Sequence, residues 1–425
     1  MKMSKRTLTI TIIVAAFIVF IGAILLAIIS PKLKSHTKIA FYGLSNVQKE
    51  ALITQMNTIK NATGRSLTYT FNELDATVPL SKQVKGKYDI VFTTLGENAK
   101  EATQLVPEKK TAKICMPENT LDGTTISVRQ TSLRNADNSI SAVPILLDHY
   151  EIDIDRSLLK QTGIKTIATW HDIETFAVAA KKSTNAQIVF AGSDSETYLG
   201  IISALTEAFS GKEVYESGVE MIRKYVYERD EKAAPLTGAD YDELVKTLSA
   251  TPDAPFYAAV QMLSRWYRIG LLNSEVFHMT QKDVSAFMDA NSASVVFMTL
   301  SQHRLISHET IERYSSVYYP SERAASLRFF CAPVIVAIPL TSKKNVSTII
   351  NNLVSSDAQD AIGRDSGLAP VQANCRVADH QADDVRYWIA ATNAPIVPLG
   401  QAAFIDEYNR DLFGERFSNY VHYLK

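Results

Sequence analysis

The pattern of apolar and polar positions divides the chain sharply in two. Leu8 to Ile29 is an unbroken apolar run without a charge. As a helix its 22 residues would span about 33 Å at 1.5 Å per residue, enough for a hydrocarbon core of about 30 Å. After Pro31 the pattern becomes that of a folded body. "KIAFYGLS" reads as a strand broken at Tyr42-Gly43. Ser45 and Gln48 then have capping-box spacing, and Val47, Leu52, Ile53, Met56 and Ile59 form a helical stripe. "GRSLTYTFNEL" is a second strand. "GKYDIVFTTLGENAKEA" is a third, Tyr88 to Thr93, feeding a helix that begins near Glu97. Strand, helix, strand, connection, strand predicts an open α/β sheet.

Helical periodicity dominates from Ile167 to Phe287. Thr169 with Asp172 looks like a near capping box, and Ile173, Phe176, Ala177 and Ala180 follow at helical spacing. "AQIVFAG" returns as a strand, and "SETYLGIISALTEAF" and "FYAAVQMLSRWYRIGLL" read as helices. "SASVVFMTL", "RYSSVYYP" and "CAPVIVAIP" are strand candidates rich in β-branched residues. Short helices follow, and the tail from Ala382 is helical in two pieces separated by "APIVPLG". No internal repeat or low-complexity tract appears.

Charge enters the picture first at the apolar run. Lys2, Lys5 and Arg6 precede it, and Lys32 and Lys34 follow. A cleaved signal carries a shorter apolar region and small residues at its cut, and Ile28-Ile29-Ser30-Pro31 is a poor cleavage site. The run therefore reads as an uncleaved membrane anchor, and the positive-inside rule favours an internal N-terminus with the body outside the cytoplasm. The expected division is a cytoplasmic N-terminus 1–7, a transmembrane anchor 8–29 and a linker 30–37. No cysteine lies near the end of the run, so a lipid-modified N-terminal cysteine is excluded. Cys115, Cys331 and Cys375 are far apart and have no metal-ligand spacing, which leaves room for one disulfide at most. With 44 Lys plus Arg against 45 Asp plus Glu, the net charge of −1 gives no electrostatic reason to expect nucleic acid.

Enzyme signatures are missing. There is no phosphate loop, no G-x-G-x-x-G, no H-E-x-x-H and no G-x-S-x-G; Gly211-Lys212 and His308-Glu309 are incomplete fragments. Asp153 and Asp155 follow a strand in "EIDIDRS", and alternate residues share a face, so both are expected at a solvent-facing strand edge. Tyr318-Tyr319 is expected to alternate with one ring in the core rather than to bind iron. Trp170, Trp266 and Trp388 fall on helices and are expected in the core.

Six segments resemble, in order, the bacterial extracellular solute-binding proteins of the sugar-binding, maltose-binding-like type (family 1). Ser141-Ala142-Val143-Pro144 resembles the family's first hinge strand. Ile152 to Gly163 resembles its strand-helix unit, and Ala168-Thr169-Trp170-His171-Asp172 its next helix start. "APFYAAVQMLSRWYRIGLLN", "DVSAFMDANSASVVFMTLSQ" and "VIVAIPLTSKKNVSTIINNLVSSDAQDAIGRDSGLAPV" resemble later family segments. The likeness runs from about Lys38 to the end. It implies an α/β, two-lobe periplasmic-binding-protein-like fold (type II), here preceded by the N-terminal transmembrane helix. One lobe is expected from 38–147 and 321–354, the other from 148–320 and 355–425, with solute captured between them by hinge closure.

Carried over residue by residue, the resemblance implies ligand contacts at Ser45 and Asn46, at Thr94 and Glu97, and at Asp148 after the hinge proline. On the second lobe it implies Ser193, Tyr198 and Ser301, with Phe404 as an aromatic stacking position. His303-Arg304 stands where a sugar binder often has a tryptophan, which weakens the aromatic platform that sugars stack on. The function implied is capture of a small polar solute, a saccharide among the candidates, for the permease of an ABC importer at the cell membrane. It is not an enzyme, and no cofactor or metal is implied. A surface ligand sensor or protein-interaction module on the same fold is the alternative.

Overall fold

The structure is a computed structural model describing residues 36–60, 64–229, 234–320, 322, 330–331, 333–391 and 395–424. The expected anchor 8–29 lies outside the described residues. Among the described residues no helix is long and apolar enough to cross a membrane.

The first lobe begins as the pattern predicts. Strand β1 (His36–Phe41) turns at Gly43, whose φ of +63° is a left-handed conformation that glycine adopts without strain. It enters helix α1 (Asn46–Thr58), capped by the Ser45–Gln48 box. Strands β2 (Thr68–Glu73) and β3 (Ile90–Thr94) follow; both pair in parallel with β1. Helix α2 (Glu97–Gln104) begins directly after β3, and β4 (Ile140–Leu147), buried along its whole length, carries the chain to the other lobe.

The second lobe opens with β5 (Tyr150–Asp155) and α3 (Trp170–Thr184), the latter held by the Thr169–Asp172 capping box. Next come β6 (Gln187–Phe190), α4 (Ser195–Ser210) and α5 (Lys212–Tyr227). After further helices the chain adds β7 (Ala293–Thr299), the short α6 (Leu300–His303) and β8 (Tyr314–Val317). These strands form a four-stranded sheet in the order β6-β7-β5-β8. Trp170 and Trp266 are fully buried and pack with Phe297 and Tyr319 into an aromatic cluster beneath it, as expected for core tryptophans.

The chain then returns. β9 (Val334–Pro339) inserts antiparallel between β3 and β4, followed by α7 (Lys344–Leu353), α8 (Ser356–Ser366), β10 (Ala369–Pro370) and α9 (His380–Ala390). The main order of the first sheet is β10-β4-β9-β3-β1-β2. This corrects the expected boundary, which placed 355–425 in the second lobe. Ile362, Leu368, Ala369, Val371, Val385 and Ile389 belong to the core of the first lobe. From Ile396 onward the chain, with α10 (Leu399–Ala403) and α11 (Glu407–Tyr423), joins the second, through Ile396, Leu399, Phe404, Phe413 and Phe417. β10 explains why: its pairing with β4 ties the segment to the first sheet before the chain crosses back.

A second correction concerns Asp153 and Asp155. Neither is at a solvent-facing edge, because β5 lies between β7 and β8 and both side chains are buried. Asp155 caps the following helix, its Oδ1 accepting from the Leu158 amide at 2.9 Å and from the Ser157 hydroxyl at 2.7 Å. Cys115 and Cys375 are buried free thiols.

Candidate functional site

The C-terminal ends of parallel strands, with the helix starts that follow them, are where this architecture leaves a crevice. Here β1 and β3 present Tyr42, Gly43, Thr94 and Asn98 to a narrow space of about 30 Å³ between the lobes. The opposite wall is built from Glu196 at the start of α4 and from the α10–α11 segment: Gly400, Gln401, Phe404, Ile405, Asp406, Glu407 and Arg410. The two walls touch. The Tyr42 hydroxyl donates to the carbonyls of Ala76 at 3.1 Å and Ile405 at 3.0 Å. The Glu407 amide donates to the Ala76 carbonyl at 2.8 Å.

The chemistry of this crevice is polar and unevenly charged. Arg410 faces Glu196 at 3.6 Å and Glu407 at 3.5 Å, with Asp406 beside them. Desolvation pushes Glu196 up to about 7, against the pull of Arg410. Asp406 caps α11, accepting from the Asn409 amide at 2.8 Å. A crevice with several carboxylates, two side-chain amides and one guanidinium suits a ligand rich in hydroxyl or amino donors.

At one side of the crevice a latch joins the lobes. Glu97, at the first turn of α2, accepts from Arg223 of α5 at 2.8 Å and from Lys100 at 3.2 Å. The Glu97 side chain is 10% exposed and that of Arg223 33%, so solvent screens part of the attraction. Arg223→Ala is expected to weaken lobe closure by at most about 1 kcal/mol, roughly a fivefold shift toward open forms. Distances between spin labels on the two lobes read that shift; an unchanged distribution would mean the pair only decorates a closure held elsewhere.

At the crossing from β4 to β5, Asp148 forms a buried node. Its Oδ1 accepts from the amides of His149 at 2.9 Å and Ser301 at 3.0 Å, and its Oδ2 accepts from Gln48 Nε2 at 3.2 Å. Gln48 lies on α1 of the first lobe and Ser301 on α6 after β7, so one carboxylate ties both sides of the hinge. Burial pushes its acid up to about 6 although the amides of Ser301 and His149 pull it down. Neighbouring His149 is driven down to about 4 by burial and stays neutral, its Nδ1–H donating to the Tyr150 carbonyl.

The expected contacts fare unequally. Thr94 and Phe404 line the crevice, and Glu97 sits beside it in the latch. Phe404 is buried with its ring against Phe413 rather than presented as a flat platform. Ser45 is spent as a helix cap, and Asn46 beside it is exposed and does not line the crevice. Asp148 and Ser301 are bonded to each other, with both carboxylate oxygens occupied by protein donors. Ser193 is an exposed residue whose hydroxyl is taken up by the Met279 carbonyl, to which it donates at 2.9 Å. Tyr198 is corrected outright: it is 1% exposed, stacked on Phe190 and packed on Phe277 and Phe417 in the second core. Helical periodicity puts it on the inner face of α4, two positions past Glu196, which does reach the crevice. Tyr42, Asn98, Glu196, Gln401 and the group Asp406, Glu407 and Arg410 were not foreseen. Only the last group left a trace in the sequence, as Asp406 at a cap position with Glu407 and Arg410 three apart behind it.

No protein-family model and no curated protein matches the chain. Its structure nevertheless matches solved solute receptors over nearly their whole length. One is the bacterial solute receptor AcbH, described as exclusive for β-D-galactopyranose: 13% identity, TM-score 0.64, 91% of this chain and 93% of that one. Another is maltose-bound MalE3 of T. maritima, at 15% identity, TM-score 0.59 and 91% and 93% coverage. A third is ligand-free RafE from Streptococcus pneumoniae, at 13% identity, TM-score 0.57 and 91% and 98% coverage. The protein therefore has the two-lobe α/β fold of the periplasmic-type solute receptors. Two of those neighbours are named for a sugar, galactopyranose and maltose, in keeping with the sugar-binding class that the six sequence segments resemble.

Proposed function

We propose that this protein is an extracytoplasmic solute-binding protein, anchored by residues 8–29, that captures a small polar solute between its lobes for an ABC importer. The observation that carries this reading is the crevice itself. It lies at the carboxyl ends of β1 and β3, lined from both lobes by hydrogen-bonding and charged groups, and closed by contacts that a hinge can undo. About 30 Å³ holds little more than a water molecule or two, so a solute enters an opened form and closure follows around it. The maltose and galactopyranose of the structural neighbours make a saccharide the first class to try.

The test is thermal melting of the full chain in detergent against mono- and oligosaccharides, amino acids and polyamines. A ligand at tenfold excess over its dissociation constant adds about 1.4 kcal/mol of stability by mass action, so one class is expected to raise the melting temperature. A second reading, a surface sensor or interaction module, is favoured by the turned-in ring of Phe404 and the filled crevice. An unmoved melt across every solute class would sink the transport reading and leave that one.

A further inference from the structure

Behind the hinge, on the sheet of the second lobe, three ligating side chains converge that neither the crevice nor the latch uses. Glu151 and Asp153 are two apart on β5 and so point to the same face. His303, the last residue of α6, reaches them: its Nδ1 is hydrogen-bonded to Glu151 Oε1 and lies 3.9 Å from Asp153 Oδ1. All three are buried, and one ligand atom from each lies within 4.8 Å of the others.

Two observations ask for a cation there. Two carboxylates out of water with one imidazole as counter-group are costly to hold. The guanidinium nearest in the chain, Arg304, is spent on Asp379 at 2.5 and 3.0 Å and on the Gly367 carbonyl at 2.7 Å. More tellingly, Glu151 Oε2 and Asp153 Oδ2 are buried without a hydrogen-bond partner. Asp153 Oδ1 is used by Ser316 at 2.9 Å, so each acid keeps one oxygen unspent. An unpaired buried polar atom is expensive, and few native structures keep two side by side.

We propose that Glu151, Asp153 and His303 form a binding site for one divalent transition-metal ion, of the zinc or manganese type. Two carboxylate oxygens and one imidazole nitrogen are three protein ligands of the kind such ions take, at metal–ligand distances of about 2.0–2.2 Å. Donors around such an ion sit about 3.4 Å apart, so small side-chain rotations close the set. His303 also lines a cavity of about 530 Å³ between the lobes, bordered by Arg304, Asp379 and His380. That cavity supplies the entry path and room for a water as the remaining ligand. Because α6 follows β7 and its Ser301 amide holds Asp148, an ion here would fasten α6 to β5 at the hinge.

The test uses the full chain, stripped with a chelator and gel-filtered, then titrated calorimetrically with zinc or manganese chloride. The expected result is one ion per chain for one of the two metals. Glu151→Gln and Asp153→Asn, which keep the size of the side chains, should each weaken uptake at least thirtyfold. If a variant misfolds, X-ray absorption of the metal-loaded wild type decides: the proposal requires one imidazole nitrogen with the other ligands oxygen. No uptake by the wild type, uptake unchanged in folded variants, or a shell with two or more imidazoles would each overturn it.

Discussion

At pH 4, replacing Asp148 by alanine should lower the stability of the folded chain by about 3 kcal/mol. The number follows from what is left behind: the His149 and Ser301 amides and the Gln48 carboxamide all lose their acceptor in a dry site. Each orphaned buried donor costs about 1–3 kcal/mol. Asp148→Asn should cost less, since its amide oxygen still accepts. The two variants also separate through pH. The folded acid lies near 6, above its ordinary 3.8. Its contribution is therefore fully present below about pH 4 and is lost as pH rises through 6, about 3 kcal/mol over that window. Asp148→Asn should flatten this slope. Denaturant melts of wild type and both variants at pH 4, 6 and 8 read it. A wild-type-like melt of Asp148→Ala at pH 4 would mean the node is ornamental and that the carboxylate faces solute instead.

Gly96→Val is expected to wedge the lobes apart while leaving each lobe folded. Any side chain at position 96 would run into the Gln401 carbonyl, with Gln401 Cβ only 2.8 Å and its carbonyl carbon 2.9 Å from the added carbon. Gly96 starts α2 in the first lobe, and Gln401 belongs to α10, packed on the second. Overpacking against backbone costs about 1–3 kcal/mol, and a branched side chain belongs at the upper end. A cost of about 3 kcal/mol shifts the closed-to-open ratio more than a hundredfold. Solute affinity falls by whatever fraction of competent closed state is lost. Small-angle scattering should show a larger radius of gyration, and the spin-label distances should lengthen beyond those of Arg223→Ala. A compact Gly96→Val protein would show that the contact between α2 and α10 does not limit closure.

Legibility in the sequence was uneven for physical reasons. Capping boxes at Ser45 and Thr169 and the apolar runs of β3, β4 and β7 are local signals, and the elements formed where those signals lay. Asp153 and Asp155 were misjudged because alternation says which residues share a face but not whether that face is covered. Strands on both sides removed the edge, and α6 brings His303 over the face that carries Asp153. The tail was misassigned because short helices carry no label for the lobe they pack on; the two-residue pairing of β10 with β4 settled that. Tyr198 failed by two positions, since one turn of α4 carries Glu196 to the crevice and Tyr198 into the core.

What the sequence determined by itself is therefore the alternation of strands and helices, the apolar N-terminal run, and the order of segments that resembles a two-lobe receptor. These depend on interactions within a few residues or on hydrophobic period. Tertiary structure alone decided which polar groups meet. Asp148 joins Gln48 and Ser301 from 100 residues before it and 153 after it, Glu97 finds Arg223 126 residues on, and Glu151 finds His303 152 residues on. A polar side chain carries no signal of its partner along the chain. Packing of the two cores brings such groups together, and desolvation then makes the pairing obligatory.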